Sequence, residues 1–452
     1  MHRESPIKIS QCMIVKNEEK NIERALSWGK GIVAEQIVVD TGSTDRTVEL
    51  AENLAAQVYY FPWADDFSAA KNFAISKAQY SWIAFLDADE YFTEEDAKKL
   101  PFLLEEIQQQ HYDEIATNWI HLNDDGSIKM IDTQVRIFRN RKGLRYHRRV
   151  HEYLAWEDCA DISYVQDSLG LSIYHTGYGM AAEKKKRKGG RNLQIIQAEL
   201  KEHPDDFEML AYLGNEYVGL GEFTLAENTY REAISHMPER MLGVYHVAAS
   251  EVPLRLLSVL VEQSDVDEDK LLDLYQWATA GWPEEGDYDY FLGLYYAQNK
   301  NFPKAELHIR KALEIMETHG NYQKSMVVSG KIISTYELLA ACCFNNGDME
   351  STVRLTTALL KENSYLMGAL TLFVLAFRND AEKIEDKKSL AMEIAALLGR
   401  TFYNFSSKKD CLFVLRAAVS AGYQELIEII RSLFSEEELQ EINLVTWLKN
   451  IS

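Results

Sequence analysis

The sequence predicts a chain of two parts: an α/β domain with a mostly parallel sheet, followed by an all-helical solenoid. Two observations support this fold class. Short apolar runs alternate with helical patterns over residues 1–190, which is typical of βαβ units. Helical periodicity alone continues over residues 191–452, where one pattern recurs. A length of 452 residues is consistent with two or three domains.

The strand candidates of the first part lead into acidic residues. Residues 9–15 form a short apolar run, QIVVD ends at Asp40, and WIAFL leads to Asp87. Helical patterns over 17–28, 44–55 and 67–78, and a further strand candidate over 58–61, complete this part. Ligands of such sheets bind beyond the carboxyl ends of the strands, so the two aspartates mark a candidate site.

A helix-turn-helix pattern repeats in the second part. The copies are predicted at about 205–239, 287–320 and 333–365. Their small and aromatic residues fall at the offsets of tetratricopeptide repeats, in which small residues allow paired helices to approach closely. One copy cannot bury its own apolar face, so we expect the helices to stack into a solenoid. Gly189-Gly190 is the predicted hinge between the two parts.

The composition limits the classes of function. A net charge of -22 lacks the basic footprint that nucleic-acid binding requires. The N-terminal segment has no apolar run suited to a signal peptide, and we expect no membrane span and a cytoplasmic setting. The five cysteines show no metal-ligand spacing, which favours buried thiols.

The strongest motif is Asp87-Ala88-Asp89, which follows an apolar strand. Two carboxylates at a strand end can hold a hard divalent cation. Such a cation would bridge the diphosphate of a sugar donor and neutralise it as it leaves. In an acidic chain the alternative for a bare motif of this kind is a solvated turn.

Several segments resemble known enzymes in sequence, order and spacing. They are IVKNEE (14–19), VVDTGSTDRT (38–47), WADDFSAAKN (63–72), FLDADE (85–90), RIFRN (136–140), YHRRVHE (146–152) and IYHTGY (173–178). Together they resemble family 2 glycosyltransferases of the GT-A fold. With the tetratricopeptide helices, the layout is similar to the S-glycosyltransferases that modify a cysteine of bacteriocin precursor peptides (glycocin biosynthesis).

The resemblance implies a nucleotide-sugar site and a metal site. The residues implied in nucleotide-sugar binding are Val15, Asn17, Glu18, Asp40, Ser43, Lys71, Asp87, Ala88 and Asp89. Asp89 would be the direct ligand of Mn²⁺ or Mg²⁺, and His175 would complete the metal shell or touch the diphosphate. Lys71 stands where many relatives have arginine, and a lysine cannot make the planar two-pronged contact. For Asp40, capping of its own turn is the open alternative.

The acceptor side needs a base, because an inverting transfer is a direct displacement in which the acceptor loses a proton. Glu152 is the first candidate and His151 the second. A structural or surface role is the alternative for His151 and for His175. A thiol acceptor has a lower intrinsic pKa than a hydroxyl acceptor, so it would depend less on a strong base.

The basic run EKKKRKGGR (183–191) is either a solvated linker or a flap that closes over the donor diphosphate. The leading hypothesis is a metal-dependent transferase that uses a UDP-sugar and a peptide or protein acceptor. One rival is a transferase for a cell-wall or lipid-linked glycan, and another is a repeat scaffold whose catalytic domain has decayed. The exposed end of a solenoid favours a homodimer.

Overall fold

The computed structural model describes residues 7–108, 110, 112–157, 164–165, 170–176, 182–245, 248–263, 266–320, 324–381 and 386–441. Its contacts divide the chain into two compact units, Met1–Gly219 and Leu220–Ser452. The first unit contains the predicted α/β domain, and the second is helical, so the predicted fold class is confirmed.

A mixed nine-stranded sheet forms the core of the first unit among the described residues. The strands of this unit are β1 (Ile9–Val15), β2 (Glu35–Asp40), β3 (Gln57–Tyr60), β4 (Trp82–Phe85), β5 (Glu90–Phe92), β6 (Glu114–Leu122), β7 (Ile128–Arg139), β8 (Leu144–His147), β9 (Tyr153–Trp156), β10 (Tyr164–Val165) and β11 (Ser172–His175). The order is β3-β2-β1-β4-β7-β6-β11-β5, with β10 beside β6, while β8 and β9 form a separate hairpin. Strands β1 to β4 pair in parallel, as predicted. Strand β7 is antiparallel to β4 and β6, and β5 is antiparallel to β11.

Helices cover this sheet. They are α1 (Ile22–Ser27), α2 (Thr47–Asn53), α3 (Phe67–Lys77) and α4 (Glu94–Ile107). Helix α3 begins where predicted because the Asp66 carboxylate accepts a hydrogen bond of 2.8 Å from the backbone N–H of Ala69. Strand β1 is buried on both faces, which explains its nearly continuous apolar sequence.

The rest of the chain is helical. The helices are α5 (Ala182–Glu202), α6 (Phe207–Leu220), α7 (Phe223–His236), α8 (Glu251–Val261), α9 (Glu268–Gly281), α10 (Gly286–Gln298), α11 (Phe302–His319), α12 (Met326–Gly330), α13 (Ile332–Asn345), α14 (Met349–Glu362), α15 (Met367–Ala381), α16 (Lys387–Thr401), α17 (Lys408–Ala421), α18 (Gln424–Arg431) and α19 (Glu436–Glu441). None of the described helices is long and apolar enough to cross a membrane.

Each predicted repeat corresponds to a helix pair: α6 with α7, α10 with α11, and α13 with α14. In the second pair, a Cβ atom at Gly293 would lie 2.7 Å from the side chain of Ile309. This position needs glycine because the two helices approach closely there, as the repeat pattern predicts.

The division between the units lies near the end of α6, later than the predicted boundary at residue 190. Helix α5 runs without a break through Gly189-Gly190, so the predicted hinge lies inside a helix. Helices α5 and α6 belong to the first unit, where a cluster that includes Val150, Ile195 and Met209 packs them against the loop after β8. The first repeat is therefore divided between the two compact units.

The described cysteines Cys12, Cys342, Cys343 and Cys411 are buried free thiols, and Cys159 lies outside the described residues. Burial raises the pKa of the Cys342 thiol to about 11. Since the thiolate is the reactive form, burial makes this thiol inert.

Glu114, at the start of β6, makes the free energy of unfolding depend on pH. Burial, together with the neighbouring charge of Asp113, raises the pKa of Glu114 to about 7. A raised pKa in the folded state means that this carboxyl stabilises the fold most below about pH 4.5, and that the contribution is lost as the pH rises through about 7. At pH 8 we expect Glu114→Gln to raise the free energy of unfolding by about 1–3 kcal/mol.

Urea unfolding followed by tryptophan fluorescence checks this expectation. Near pH 4 the carboxyl is protonated in both states, so the variant and the wild type should unfold at the same urea concentration. Equal midpoints at pH 8 as well would contradict the prediction.

Candidate active site

Lys71 lies at the centre of the candidate site, on α3. It is only 3% exposed, and its Nζ lies 2.8 Å from Glu152 Oε1 and 3.6 Å from Asp87 Oδ1. Burial alone lowers the pKa of Lys71, but the carboxylates of Asp87 and Glu152 outweigh burial and raise it. The lysine therefore stays charged. It joins the carboxylate motif after β4 to the predicted base after β8.

A buried guanidinium contacts the other oxygen of Asp87. Arg136 Nη2 lies 3.3 Å from Asp87 Oδ2, and the same guanidinium makes two hydrogen bonds, of 2.8 and 2.7 Å, to the carboxylate of Glu90. The antiparallel register places Ile137 opposite Ala84, so Arg136 lies at the carboxyl end of β4, level with its last residue, Phe85. Both carboxylate oxygens of Asp87 thus face cations.

Sequence reasoning gave no role to Arg136 or Glu90. The signal was available, because an arginine inside the apolar strand RIFR is costly to bury without an acidic partner. Glu90, which follows the acidic motif directly, is that partner and is 1% exposed.

Asp89 faces His175, the other residue predicted at the metal site. The distance from Asp89 Oδ2 to His175 Nε2 is 3.3 Å. Strand β11 lies between β6 and β5, and its register places His175 opposite both His121 and Glu90. The Nδ1 atoms of His175 and His121 are 2.9 Å apart. The backbone oxygen of Asp89 accepts a hydrogen bond of 3.1 Å from the N–H of Thr176, which fixes the turn.

Asp89 and His175 fit as ligands of a divalent cation. Two adjacent ligands of an octahedral ion, each at about 2.1 Å, lie about 3 Å apart, which is close to the observed separation. When His175 donates its Nδ1–H to His121, its Nε2 lone pair points toward Asp89, as expected of a metal-binding histidine oriented by a second residue. The carboxylate of Asp89 suits Mn²⁺ or Mg²⁺, whereas an imidazole beside it favours Mn²⁺ over Mg²⁺, which prefers oxygen ligands alone.

The loop after β2 is organised by Asp40. This aspartate is 4% exposed, and its carboxylate accepts hydrogen bonds of 3.0 and 3.1 Å from the backbone N–H groups of Gly42 and Ser43. Asp40 therefore caps its own turn, which is the alternative that the sequence left open. Its contact with a base or ribose stays a prediction.

The loops after β1 and β2 are tied together. The backbone N–H of Asn17 donates to Ser43 Oγ at 2.9 Å, and Asn17 Oδ1 accepts from the N–H of Thr44 at 2.7 Å. The backbone N–H of Glu18 donates to Thr47 Oγ1 at 2.7 Å, and the carbonyl of Val15 accepts from Thr41. These predicted nucleotide-binding residues therefore lie together at the carboxyl ends of the first two strands.

The two candidate bases lie in different surroundings. Glu152 contacts Lys71, whereas the ring of His151 lies flat on Tyr212, with centroids 3.6 Å apart. Burial of this ring lowers the pKa of His151 to about 4. Glu152 is thus the candidate that the ion pairs join to Asp87.

The side chains of 183–189, which make up most of the basic run, lie outside the described residues, as does Tyr178 of the last motif. The backbone of the run is part of α5. Arg191, its last residue, lies over the ring of Phe67, with 4.7 Å between the guanidinium carbon and the ring centroid.

Comparison with known proteins identifies the domain that carries these residues. Residues 10–160 match the family model described as glycosyl transferase family 2. The chain carries a family 2 glycosyltransferase domain. The predicted class of protein is therefore confirmed for this domain, and the glycosyltransferase domain contains the Lys71, Asp87 and Glu152 cluster.

Two curated relatives cover parts of the chain. A TPR repeat-containing protein of Synechococcus elongatus is 30% identical over 280 residues, which are 60% of this chain and 65% of that protein. The SPbeta prophage-derived glycosyltransferase SunS of Bacillus subtilis is 28% identical over 207 residues, which are 45% of this chain and 48% of SunS. The chain thus spans less than two thirds of the length of the curated relatives it matches. The combination of a family 2 domain with tetratricopeptide-type repeats is confirmed.

Among solved structures, TarS of S. aureus in complex with UDP-GlcNAc covers 69% of this chain and 91% of its own, with a TM-score of 0.34 and 15% identity. A TPR protein, YrrB, covers 50% of this chain and 97% of its own, with a TM-score of 0.35 and 14% identity.

Proposed function

We propose that the chain is an inverting, metal-dependent glycosyltransferase that moves a sugar from a UDP-sugar to a peptide or protein. The resemblance favours a cysteine thiol of a bacteriocin precursor as the acceptor. The observation that carries the proposal is the cluster at the carboxyl ends of the strands. There, Lys71 joins Glu152 to Asp87, and Asp89 faces His175.

The residues of this cluster divide the work of an inverting transfer. Glu152 takes the proton of the acceptor as the acceptor attacks the anomeric carbon, and its ion pair with Lys71 holds the carboxylate in one place. Asp89 and His175 would hold the divalent cation, and a bound cation would supply positive charge beside the diphosphate. The tied loops that contain Asn17 and Asp40 bind the nucleotide.

The relatives support the general class of the proposal, a glycosyltransferase with helical repeats, and not its donor or acceptor. SunS is named a glycosyltransferase, and the S. elongatus protein is named for its TPR repeats. Helical repeats expose long surfaces that suit extended partners, so a peptide acceptor is consistent with the second unit. The homodimer and the cytoplasmic setting stay predictions.

A donor and acceptor screen tests the proposal. The full chain is incubated with Mn²⁺ or Mg²⁺, a panel of nucleotide sugars, and peptides encoded beside its gene. We expect release of UDP from one UDP-sugar and a mass increase of one sugar on a peptide. Turnover only with a lipid-linked acceptor would favour the cell-wall alternative. No hydrolysis or transfer with any donor would favour a scaffold with a decayed domain.

Replacing the base tests the acceptor side separately. We expect Glu152→Gln to lower kcat by about 100- to 10,000-fold, because the acceptor proton then has no recipient. Glutamine keeps an oxygen that can accept a hydrogen bond from Lys71, so the affinity for UDP should not change. UDP release gives kcat, and calorimetric titration gives the Kd of UDP.

The matched control is Glu157→Gln. Glu157 directly follows β9 and is exposed. Its side chain makes no hydrogen bond or ion pair to the described residues, so wild-type turnover is expected. A similar loss in both variants, or none in Glu152→Gln, would remove Glu152 from the base role.

A further inference from the structure

The loop that carries Glu152 is held by α3, where the carbonyl of Arg149 accepts a hydrogen bond of 2.8 Å from the N–H of Phe67, and also from outside the matched family domain. The hairpin loop joins β8 to β9 and contains Arg148, Arg149, Val150, His151 and Glu152. The family model ends at residue 160, whereas the contacts of this loop reach helices α5 and α6. All these residues belong to the first compact unit.

Two arginines of the loop bind the acidic residues of these helices. Arg148 makes ion pairs with Asp206, at 3.3 Å, and with Glu208. Arg149 makes ion pairs with Glu199, at 3.3 Å, and with Glu202, at 2.8 Å. Those acids lie in α5, in α6 and just before α6.

Packing contacts complete the attachment. Val150 is 4% exposed and belongs to a cluster with Ile195 of α5 and Met209 of α6. The rings of His151 and Tyr212 are parallel to within 2°, with centroids 3.6 Å apart. Each residue from 148 to 151 therefore touches α5, α6 or the turn between them.

The backbone of the loop needs this support. Arg148 and His151 both have positive φ, 72° and 53°, although neither is glycine. Such conformations cost about 1–3 kcal/mol each and persist only where the surroundings hold them. The two residues turn the chain so that Glu152 points back to Lys71, 2.8 Å away.

We infer that α5 and α6 position the catalytic base: the stack of Tyr212 on His151 and the arginine ion pairs fix the loop so that Glu152 stays against Lys71. Tyr212 is thus a positioning residue that acts through Glu152. The inference rests on the proposed function, because it assigns a catalytic role to Glu152. Helix α6, the first helix of the tetratricopeptide region, thus supports the catalytic loop directly.

The test uses the full chain, with water as the acceptor, and follows UDP release from the active UDP-sugar in the presence of Mn²⁺. We expect Tyr212→Ala to lower kcat by about 10- to 100-fold, since displacement of a catalytic group by about 1 Å has effects of this size. The donor KM and the Kd of UDP should stay at wild-type values. Tyr212→Phe keeps the flat ring and should restore most of the turnover.

A double-mutant cycle separates positioning from a general loss of structure. If Tyr212 acts through Glu152, Tyr212→Ala should cause no further loss in a Glu152→Gln background. Losses that multiply would overturn the inference, as would full activity of Tyr212→Ala. If Tyr212→Ala does not fold, Tyr212→Leu takes its place, because leucine fills space without a flat face.

The matched control is Tyr217→Ala. Tyr217 lies on the same helix and packs against the same cluster, but among the described residues its ring does not stack on the loop. Wild-type kcat is expected for this variant, and a loss equal to that of Tyr212→Ala would contradict the inference. Failure of the wild type to bind UDP would instead contradict the proposed function.

Discussion

Replacing Asp89 by alanine is expected to lower turnover at least about 100-fold, the size of effect seen when one preorganised electrostatic contact to a developing charge is removed. The carboxylate of Asp89 faces His175 at 3.3 Å, so its loss removes one of the two side chains that fit the cation. The backbone of this turn is held independently, because the Asp89 carbonyl accepts a hydrogen bond from Thr176. The variant should therefore fold.

The measurement has two parts. UDP release over a range of Mn²⁺ concentrations gives turnover, and electron paramagnetic resonance gives the amount of bound Mn²⁺ without any need for activity. We expect Asp89→Ala to bind Mn²⁺ at least about 10-fold more weakly in the presence of UDP. Asp125→Ala is the control, since Asp125 is an exposed turn residue of the same unit. Full activity of Asp89→Ala in the presence of a chelator would exclude the proposed metal role.

Part of this site could be predicted from the sequence because Asp40 and Asp87 lie at the ends of parallel strands. Asp40 ends β2 and Asp87 follows β4, and the carboxyl ends of these strands meet at one edge of the sheet. An apolar run followed by acids shows this placement without knowledge of tertiary contacts. The structure brings Lys71, Glu152 and Asp87 together, whereas their assigned roles stay predictions.

The partners contributed by antiparallel strands could not be predicted in the same way. Arg136 reaches Asp87 because the register of β7 against β4 places it at the carboxyl end of β4, and His121 meets His175 through the register of β6 with β11. Register depends on pairing between segments far apart in sequence, which local periodicity does not show.

The boundary between the two compact units could not be predicted from the sequence for a related reason. The repeat pattern predicts a helix pair over about 205–239, and α6 (Phe207–Leu220) is the first helix of that pair. The pattern does not show which side chains a helix packs against. Tyr212 stacks on His151 and Glu208 pairs with Arg148, so α6 belongs to the same compact unit as the catalytic loop.

The buried pair of Arg136 and Glu90 predicts the largest change in stability. Both side chains are buried, and two hydrogen bonds join the guanidinium to the carboxylate. Burial lowers the pKa of Arg136, but Glu90 and Asp87 outweigh burial and raise it, so the guanidinium stays charged. Arg136→Met would leave Glu90 as a buried acid without its partner, and we expect a loss of about 3–5 kcal/mol in the free energy of unfolding.

Arg139→Met is the matched control on the same strand. The guanidinium of Arg139 donates to the backbone oxygens of Tyr112 and Gln108, so its removal leaves no buried carboxylate behind, and a loss of about 1 kcal/mol is expected.

The double variant Arg136→Met with Glu90→Met removes both charges and should recover much of the stability, because the cost of Arg136→Met comes from the unpaired acid rather than from the missing pair. Urea unfolding at pH 7 measures all three variants. Equal losses in Arg136→Met and Arg139→Met, or no recovery in the double variant, would mean that Glu90 does not depend on Arg136. The guanidinium would then serve mainly to hold Asp87 beside Lys71, and its removal should lower turnover more than stability.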